Sequence, residues 1–224
     1  MPKETEIKLR IADKAALLRR LKKLRAAPQG VGTGRVHEMN VIFDTPQGNL
    51  GKRGQLLRIR TETPELSTRR RSSRSPARLP KQRILLTMKL PIADRNSPLP
   101  PRPARHKVRE ELQLEVGDAG MLTHVFAALG MNGWFRYEKY RTTFRLPASQ
   151  AWANGLLIEL DETPIGTFVE LEGPPDAIDR AATELGYTKR DFLIDNYLSL
   201  YVKSCRAAGQ EPRDMLFAPS KQSP

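Results

Sequence analysis

A chain of 224 residues, 39% of them hydrophobic, can bury a core of its own and needs no more than one domain with decorations. It has no apolar run long enough to span a membrane, and its first residues are charged where a secretory signal would be apolar, so no membrane partner and a cytoplasmic location are expected. Cys205 stands alone, which excludes an intramolecular disulfide framework and a cysteine metal cage, and the net charge of +13 is concentrated between Arg69 and Arg109, where thirteen Lys and Arg meet one acid, Asp94.

The first stretch, Lys3 to Ile11, alternates as a strand does: Glu4, Glu6, Lys8 and Arg10 share one face, and Thr5, Ile7, Leu9 and Ile11 the other. Ala12 to Ala27 follows with Leu17, Leu18, Leu21 and Leu24 at helical spacing, Asp13 as cap and Pro28 as stop. Its Arg19, Arg20, Lys22, Lys23 and Arg25 read as a solvated face. Arg35 to Asp44 is a strand ended by the turn Thr45 to Asn49. In the next run, Gln55 to Thr61, Arg58 and Arg60 stand side by side and need an anion, or acids, across from them.

Residues 62–83 contain a Ser/Pro/Arg run poor in apolar side chains, which reads as a long mobile hairpin loop. Ile84 to Leu90 returns to strand and carries Lys89. A second insertion, Pro91 to Arg105, holds five prolines and cannot pair in a central strand. His106 to Val116 places Arg109, Glu111, Gln113 and Glu115 on one face and Leu112, Leu114 and Val116 on the other. A helix is expected from Asp118 to Leu129, stopped by Gly130, and then a strand from Trp134 to Leu146 with Lys139, Arg141, Thr143 and Arg145 on one side. Gly155 to Asp161 and Thr167 to Gly173 contribute Glu159, Asp161, Glu170 and Glu172. Helices are expected from Asp176 to Leu185 and from Leu193 to Ser204, and the tail from Gly209 is expected to fray.

These elements describe a single domain over residues 1–205, interrupted at about 62–83 and 91–105, with a tail over 206–224. It is mainly β: eight strands in antiparallel hairpins with few flanking helices. Charged residues on one face and apolar ones on the other fit either an open sheet wet on one side or a closed barrel with a polar interior. The composition of the polar face separates the two. It holds Lys8, Arg10, Arg58, Arg60, Lys89, Arg109, Lys139 and Arg141 with Glu4, Glu6, Glu111, Asp161, Glu170 and Glu172, and lacks the Thr and Ser of ordinary solvated strands. Like charges about 4 Å apart repel by roughly 4 kcal/mol at an effective dielectric of 20, so such a set makes sense when a polyanion and divalent metal complete it. Arg and Lys hold phosphate oxygens, while carboxylates hold Mg²⁺ or Mn²⁺. The pairs Glu4/Glu6 and Glu170/Glu172 suit the metal role, since residues two apart on a strand project the same way at roughly 7 Å.

ETEIK at Glu4 to Lys8, NVIFDTPQGNLGKRGQLLRIR at Asn40 to Arg60, LTMKLP at Leu86 to Pro91, VREELQ at Val108 to Gln113, KYR at Lys139 to Arg141, LIELDE at Leu157 to Glu162, GTFVELEG at Gly166 to Gly173 and the later DNYLSLY resemble the CYTH superfamily, or triphosphate tunnel metalloenzymes. The resemblance covers nearly the whole chain apart from the two insertions and the tail. It implies an eight-stranded antiparallel barrel whose tunnel takes a triphosphate; members include triphosphatases, thiamine triphosphatases and class IV adenylyl cyclases. Carried over, it implies metal at Glu4, Glu6 and Glu172 with Glu170 or Asp161, and phosphate at Lys8, Arg58, Arg60, Lys89, Arg109, Lys139 and Arg141. Two departures stand out: Ile42 where the family often has Tyr, and Gln113 where it commonly has an acid.

The expected function is therefore metal-dependent hydrolysis of an inorganic or organic triphosphate, with Mg²⁺ or Mn²⁺. Lys89, crowded by other cations, is the candidate for a lowered pKa and a catalytic role. Two alternatives stay open: a cyclase making cyclic AMP and pyrophosphate from ATP, and a non-catalytic binder of polyphosphate or nucleic acid through the basic loop, where no aromatic side chain offers a stacking platform. A triphosphate-containing small molecule is the expected partner, with a homodimer an open assembly. His37, His106 and His124 are scattered and read as structural or exposed, and Tyr197 reads as packed against the barrel rather than catalytic.

Overall fold

The computed structural model describes residues 3–30, 33–65, 81–92 and 105–218. The basic run from Arg69 to Arg78 and most of the Pro-rich insertion lie outside the described residues, as do the last six of the tail. Nine strands form one sheet: β1 (Lys3–Ile11), β2 (Ala27–Pro28), β3 (Arg35–Asp44), β4 (Leu56–Pro64), β5 (Arg83–Pro91), β6 (Lys107–Val116), β7 (Asn132–Arg145), β8 (Leu157–Thr163) and β9 (Gly166–Glu172). Their order is β2-β7-β3-β4-β5-β6-β1-β9-β8, and a further pairing of β7 with β8 closes eight of them into an antiparallel barrel. The two-residue β2 is an appendage on the end of β7.

The apolar core lies outside this barrel. Ile7, Leu9 and Ile11 of β1, with Ile158, Leu160, Val169 and Leu171, turn outward beneath helices α1 (Lys14–Lys23) and α4 (Pro175–Glu184). Asp13 caps α1 by accepting from the Ala16 amide at 2.9 Å, and Leu17 and Leu21 form its buried stripe. On the opposite wall Phe126 of α3 (Ala119–Ala128) packs edge-on against Phe43, 5.0 Å between ring centres, over Leu57 and Ile59, with the single turn α2 (Asn49–Lys52) beside them. Each fully buried side chain of this kind stabilises the fold by about 1.5–3 kcal/mol.

The strand pairing leaves the charges pointing inward. Opposed residues share a face in an antiparallel ladder, and the register sets Glu6 opposite Glu172, Lys8 opposite Glu170, Lys89 opposite Glu111, Asn40 opposite Arg60 and Arg141 opposite Asp161. At one end the inward positions become apolar. Ile42, Phe135, Tyr137 and Phe168 gather there, and α5 (Tyr197–Ala207) closes them with Tyr197 and Leu200.

The tail does not fray over its described part. Met215 is 1% exposed, and its amide donates to the Arg136 carbonyl at 2.9 Å while it accepts from Glu138 N at 3.1 Å. Asp214 takes Arg136, and Glu138 accepts from the Phe217 amide. The reason is a free edge: β7 pairs with β8 only from Tyr140 onward, so its first half would otherwise present unpaired amides.

Candidate active site

The barrel encloses a cavity of about 840 Å³. Lys8, Arg58, Arg60, Lys89, Lys139 and Arg141 line it together with Glu4, Glu6, Glu38, Glu111, Glu159, Glu170 and Glu172. Every strand of the closed barrel contributes at least one of these, so the interior depends on closure as a whole.

The charges form two sets, one around Lys89 and one that runs from Lys107 through Lys8 and Arg141 to Arg60. Lys89 is held by Glu4 at 2.6 Å and Glu111 at 2.9 Å. Glu6 binds Lys107 at 2.5 Å and Lys8 at 3.2 Å, and Lys8 reaches Glu170 at 3.1 Å. Arg141 contacts Glu170, Glu159 and Asp161, the last through a fork of 2.7 and 2.6 Å. Glu38, 2% exposed, lies 3.3 Å from Arg60, 3.5 Å from Lys139 and 3.7 Å from Arg141. Arg58 has no ion pair among the described residues, and its guanidinium donates to the Tyr137 hydroxyl oxygen at 2.9 Å. Its Nε is buried without a partner among the described residues, as are both amide atoms of Asn40.

Two kinds of carboxylate result. Burial alone would raise Glu6, Glu38 and Glu170, but adjacent cations outweigh it: Lys8 and Lys107 at Glu6, Lys139 and Arg60 at Glu38, Lys8 and Lys139 at Glu170. These three are held well below the usual carboxylate range. Glu4 is pushed up to about 8 by burial, with Glu6 and Glu111 adding to it against Lys89. Burial likewise raises Glu159 to about 7, and raises Glu172 with help from Glu170 and Glu6. Glu4 and Glu172 are thus half-buried acids whose surroundings favour the neutral form, Glu4 in spite of Lys89 beside it.

Lys89 does not have the lowered pKa expected of it. Burial pulls it down, but Glu6, Glu4 and Glu111 together raise it, so it is a firmly held ammonium. The lowered lysine is Lys107, through burial and then Lys8 and Lys89, despite its contact with Glu6. Arg10 and Arg109 share the inward register yet do not line the cavity. Arg10 stacks on Phe168, 4.6 Å from the ring centre, and donates to the Ile165 carbonyl at the closed end; Arg109 turns to the Gly54 carbonyl at 3.3 Å. Asp161 is wholly buried behind Lys139 and Arg141. Gln113 bonds Thr87 and Glu111, and Ile42 belongs to the apolar plug. Lys107, Glu38, Asn40 and Tyr137 complete the interior without having been singled out; extending the alternation of β6 by two residues, or reading that of β3, would have found the first three.

Among the described residues no three His, Cys, Asp or Glu converge closely enough to hold a metal ion as they stand. The donor chemistry nonetheless suits a hard divalent cation, since Glu4, Glu6 and Glu172 share one face and two of them carry raised pKa values that positive charge would relieve.

The fold is a closed antiparallel barrel with its main apolar core packed outside and its cavity lined by paired charges. The match of residues 2–187 to the CYTH domain family places the chain in that family. Among solved structures, a provisionally assigned adenylate cyclase of Vibrio parahaemolyticus is similar at 18% identity and TM-score 0.63, covering 88% of this chain and 96% of its own. A conserved hypothetical protein of Pyrococcus furiosus is similar at 23% identity and TM-score 0.59, covering 88% and 99%. A Hippeastrum protein, provisionally assigned as an adenylyl cyclase and described as having a dominant triphosphatase activity, is similar at 18% identity and TM-score 0.52, covering 93% and 97%. At these identities the likeness is one of fold. No curated protein matches the chain.

Proposed function

We propose that the barrel binds a triphosphate and hydrolyses it with Mg²⁺ or Mn²⁺. The observation that carries this reading is the cation set on the cavity wall, Lys8, Arg58, Arg60, Lys89, Lys139 and Arg141, whose side chains are largely buried, where salt screens them little. In the free protein acids occupy all of these cations but Arg58; a triphosphate, with its chain of anionic oxygens, competes for the same donors. Arg58 and Arg60 offer planar forks to phosphate oxygens, and Lys8, Lys89 and Lys139 offer point charges. Glu4, Glu6 and Glu172 are the residues that would hold the ion, which when bound supplies Lewis acidity and charge toward the phosphate oxygens. The cations offset the charge that builds on the leaving group as water attacks the phosphorus.

The test is product analysis with inorganic triphosphate, ATP and thiamine triphosphate, each with Mg²⁺ or Mn²⁺, following phosphate, pyrophosphate and cyclic AMP separately. Metal-dependent phosphate release that disappears in Glu6→Gln is the expected result. Pyrophosphate appearing with cyclic AMP would replace hydrolysis by cyclisation, and binding without turnover would leave a polyphosphate receptor.

A further inference from the structure

The family resemblance implies Asp161 as a metal ligand, but the surroundings of its carboxylate oppose that role. Asp161 is 0% exposed and does not line the cavity. Both oxygens are occupied: Arg141 Nε donates to Oδ1 at 2.7 Å, while Arg141 Nη2, Lys139 Nζ and the Tyr197 hydroxyl donate to Oδ2 at 2.6, 2.8 and 2.6 Å. Each carboxylate oxygen accepts at about two positions, so Oδ2 with its three donors is filled, while Oδ1 is held in the Arg141 fork, away from the cavity. The side chains between Asp161 and the cavity are its own donors, Lys139, Arg141 and Tyr197.

Tyr197 opens α5, whose first turn is fixed by the Asn196 side chain accepting from Ser199 N at 2.8 Å. Its ring lies 5.3 Å from Lys8 Nζ and 5.0 Å from Lys139 Nζ, within reach for cation–π attraction. One residue therefore touches three cations, Lys8 of β1 and Lys139 and Arg141 of β7, directly or through Asp161.

We propose that Asp161 is a positioning residue and not a metal ligand, clamped by Tyr197 of α5 so that Lys139 and Arg141 face the cavity in a fixed fork. This rests on the triphosphate reading of the cavity. Prepositioned cations lose less side-chain freedom when the anion arrives, and a carboxylate behind them offsets their mutual repulsion while the cavity lacks phosphate. The C-terminal helix thereby sets the affinity of a site built from strands.

The experiment measures two affinities separately in wild type, Asp161→Asn, Tyr197→Phe, the double variant and Glu172→Gln: Mn²⁺, from the paramagnetic resonance signal of the free ion, and inorganic triphosphate, by calorimetry without metal. Asp161→Asn and Tyr197→Phe are expected to bind Mn²⁺ as wild type does and triphosphate about tenfold to a hundredfold more weakly. The double variant should be no weaker than the worse single one, since both changes break one device. Glu172→Gln should do the reverse, losing Mn²⁺. Tyr197→Phe keeps the ring and carries the test if Asp161→Asn fails to fold. Leu200→Ala, in the same helix, should lower the melting temperature without moving triphosphate affinity, which separates positioning from mere stability. Loss of Mn²⁺ binding in Asp161→Asn with triphosphate affinity kept would overturn the assignment. Wild type binding Mn²⁺ but no triphosphate would defeat the functional reading alone, because the Mn²⁺ titration still tells Asp161 from Glu172.

Discussion

Replacing Arg141 by Met removes the cation with the most acidic neighbours in the barrel. Its guanidinium contacts Asp161, Glu159 and Glu170 and lies 3.7 Å from Glu38. Asp161 would keep Lys139 and Tyr197, and Glu170 would keep Lys8. Among the described residues Glu159 has no other ion pair, so the change leaves it a buried charge with no counterion. Removing one partner of a buried pair costs about 3–5 kcal/mol, which for a chain of this size lowers the melting temperature by on the order of 10 °C. The cost depends on pH. Glu159 is pushed from 4.5 up to about 7 by burial, then by Glu170 and Asp161, even with Arg141 beside it. A carboxyl whose folded pKa lies above its unfolded value favours the fold below the unfolded pKa and loses that advantage as pH rises through the folded one. Without Arg141 the folded value climbs further, so the deficit against wild type is smallest near pH 5 and grows by about 1.4 kcal/mol for each pH unit above about 7, being clearly larger at about pH 9. Urea unfolding followed by tryptophan fluorescence at both pH values measures it. A deficit under about 1 kcal/mol at the higher pH, or one equal at the two, would refute the reasoning.

Mn²⁺ must displace the proton that Glu4 holds with a pKa of about 8, so its affinity should rise with pH up to that value and then level, a slope that Glu4→Gln should flatten in the same titration. Met215→Ala should destabilise by about 2–4 kcal/mol in urea unfolding, because its side chain fills the aromatic plug; a loss under about 0.5 kcal/mol would mean that the tail merely rests on β7. Gly173 has φ of +147°, and a Cβ there would stand 2.8 Å from the Gly155 carbonyl oxygen. Gly173→Ala should therefore cost about 1–3 kcal/mol, read by thermal unfolding.

The barrel was legible because its inside and outside differ in kind: charges at every second position of successive strands have no simpler home than a closed interior. The limits of that reading are geometric. Arg10 and Arg109 obey the alternation, but strand tilt and the plug place them beyond the cavity, which no single-strand pattern reports. Glu38 and Asn40 sit in a strand whose other side chains look like ordinary sheet, so their burial emerges only from pairing with β4 and β7. The pKa order of Lys89 and Lys107 is set by which acids each meets across neighbouring strands, a matter of register. The docking of the tail answers an unpaired edge of β7 that appears only when β8 is seen to be short.

On the proposed function the cavity cations are arranged for a chain of three phosphoryl groups. Calorimetric titration of the metal-free protein with phosphate, pyrophosphate and inorganic triphosphate at one ionic strength tests this most directly. Affinity should climb about tenfold or more with each added phosphoryl group, as further Lys and Arg are engaged, and stop climbing beyond three. Equal affinity for all three anions would contradict it and reduce the barrel interior to a self-contained lattice of ion pairs.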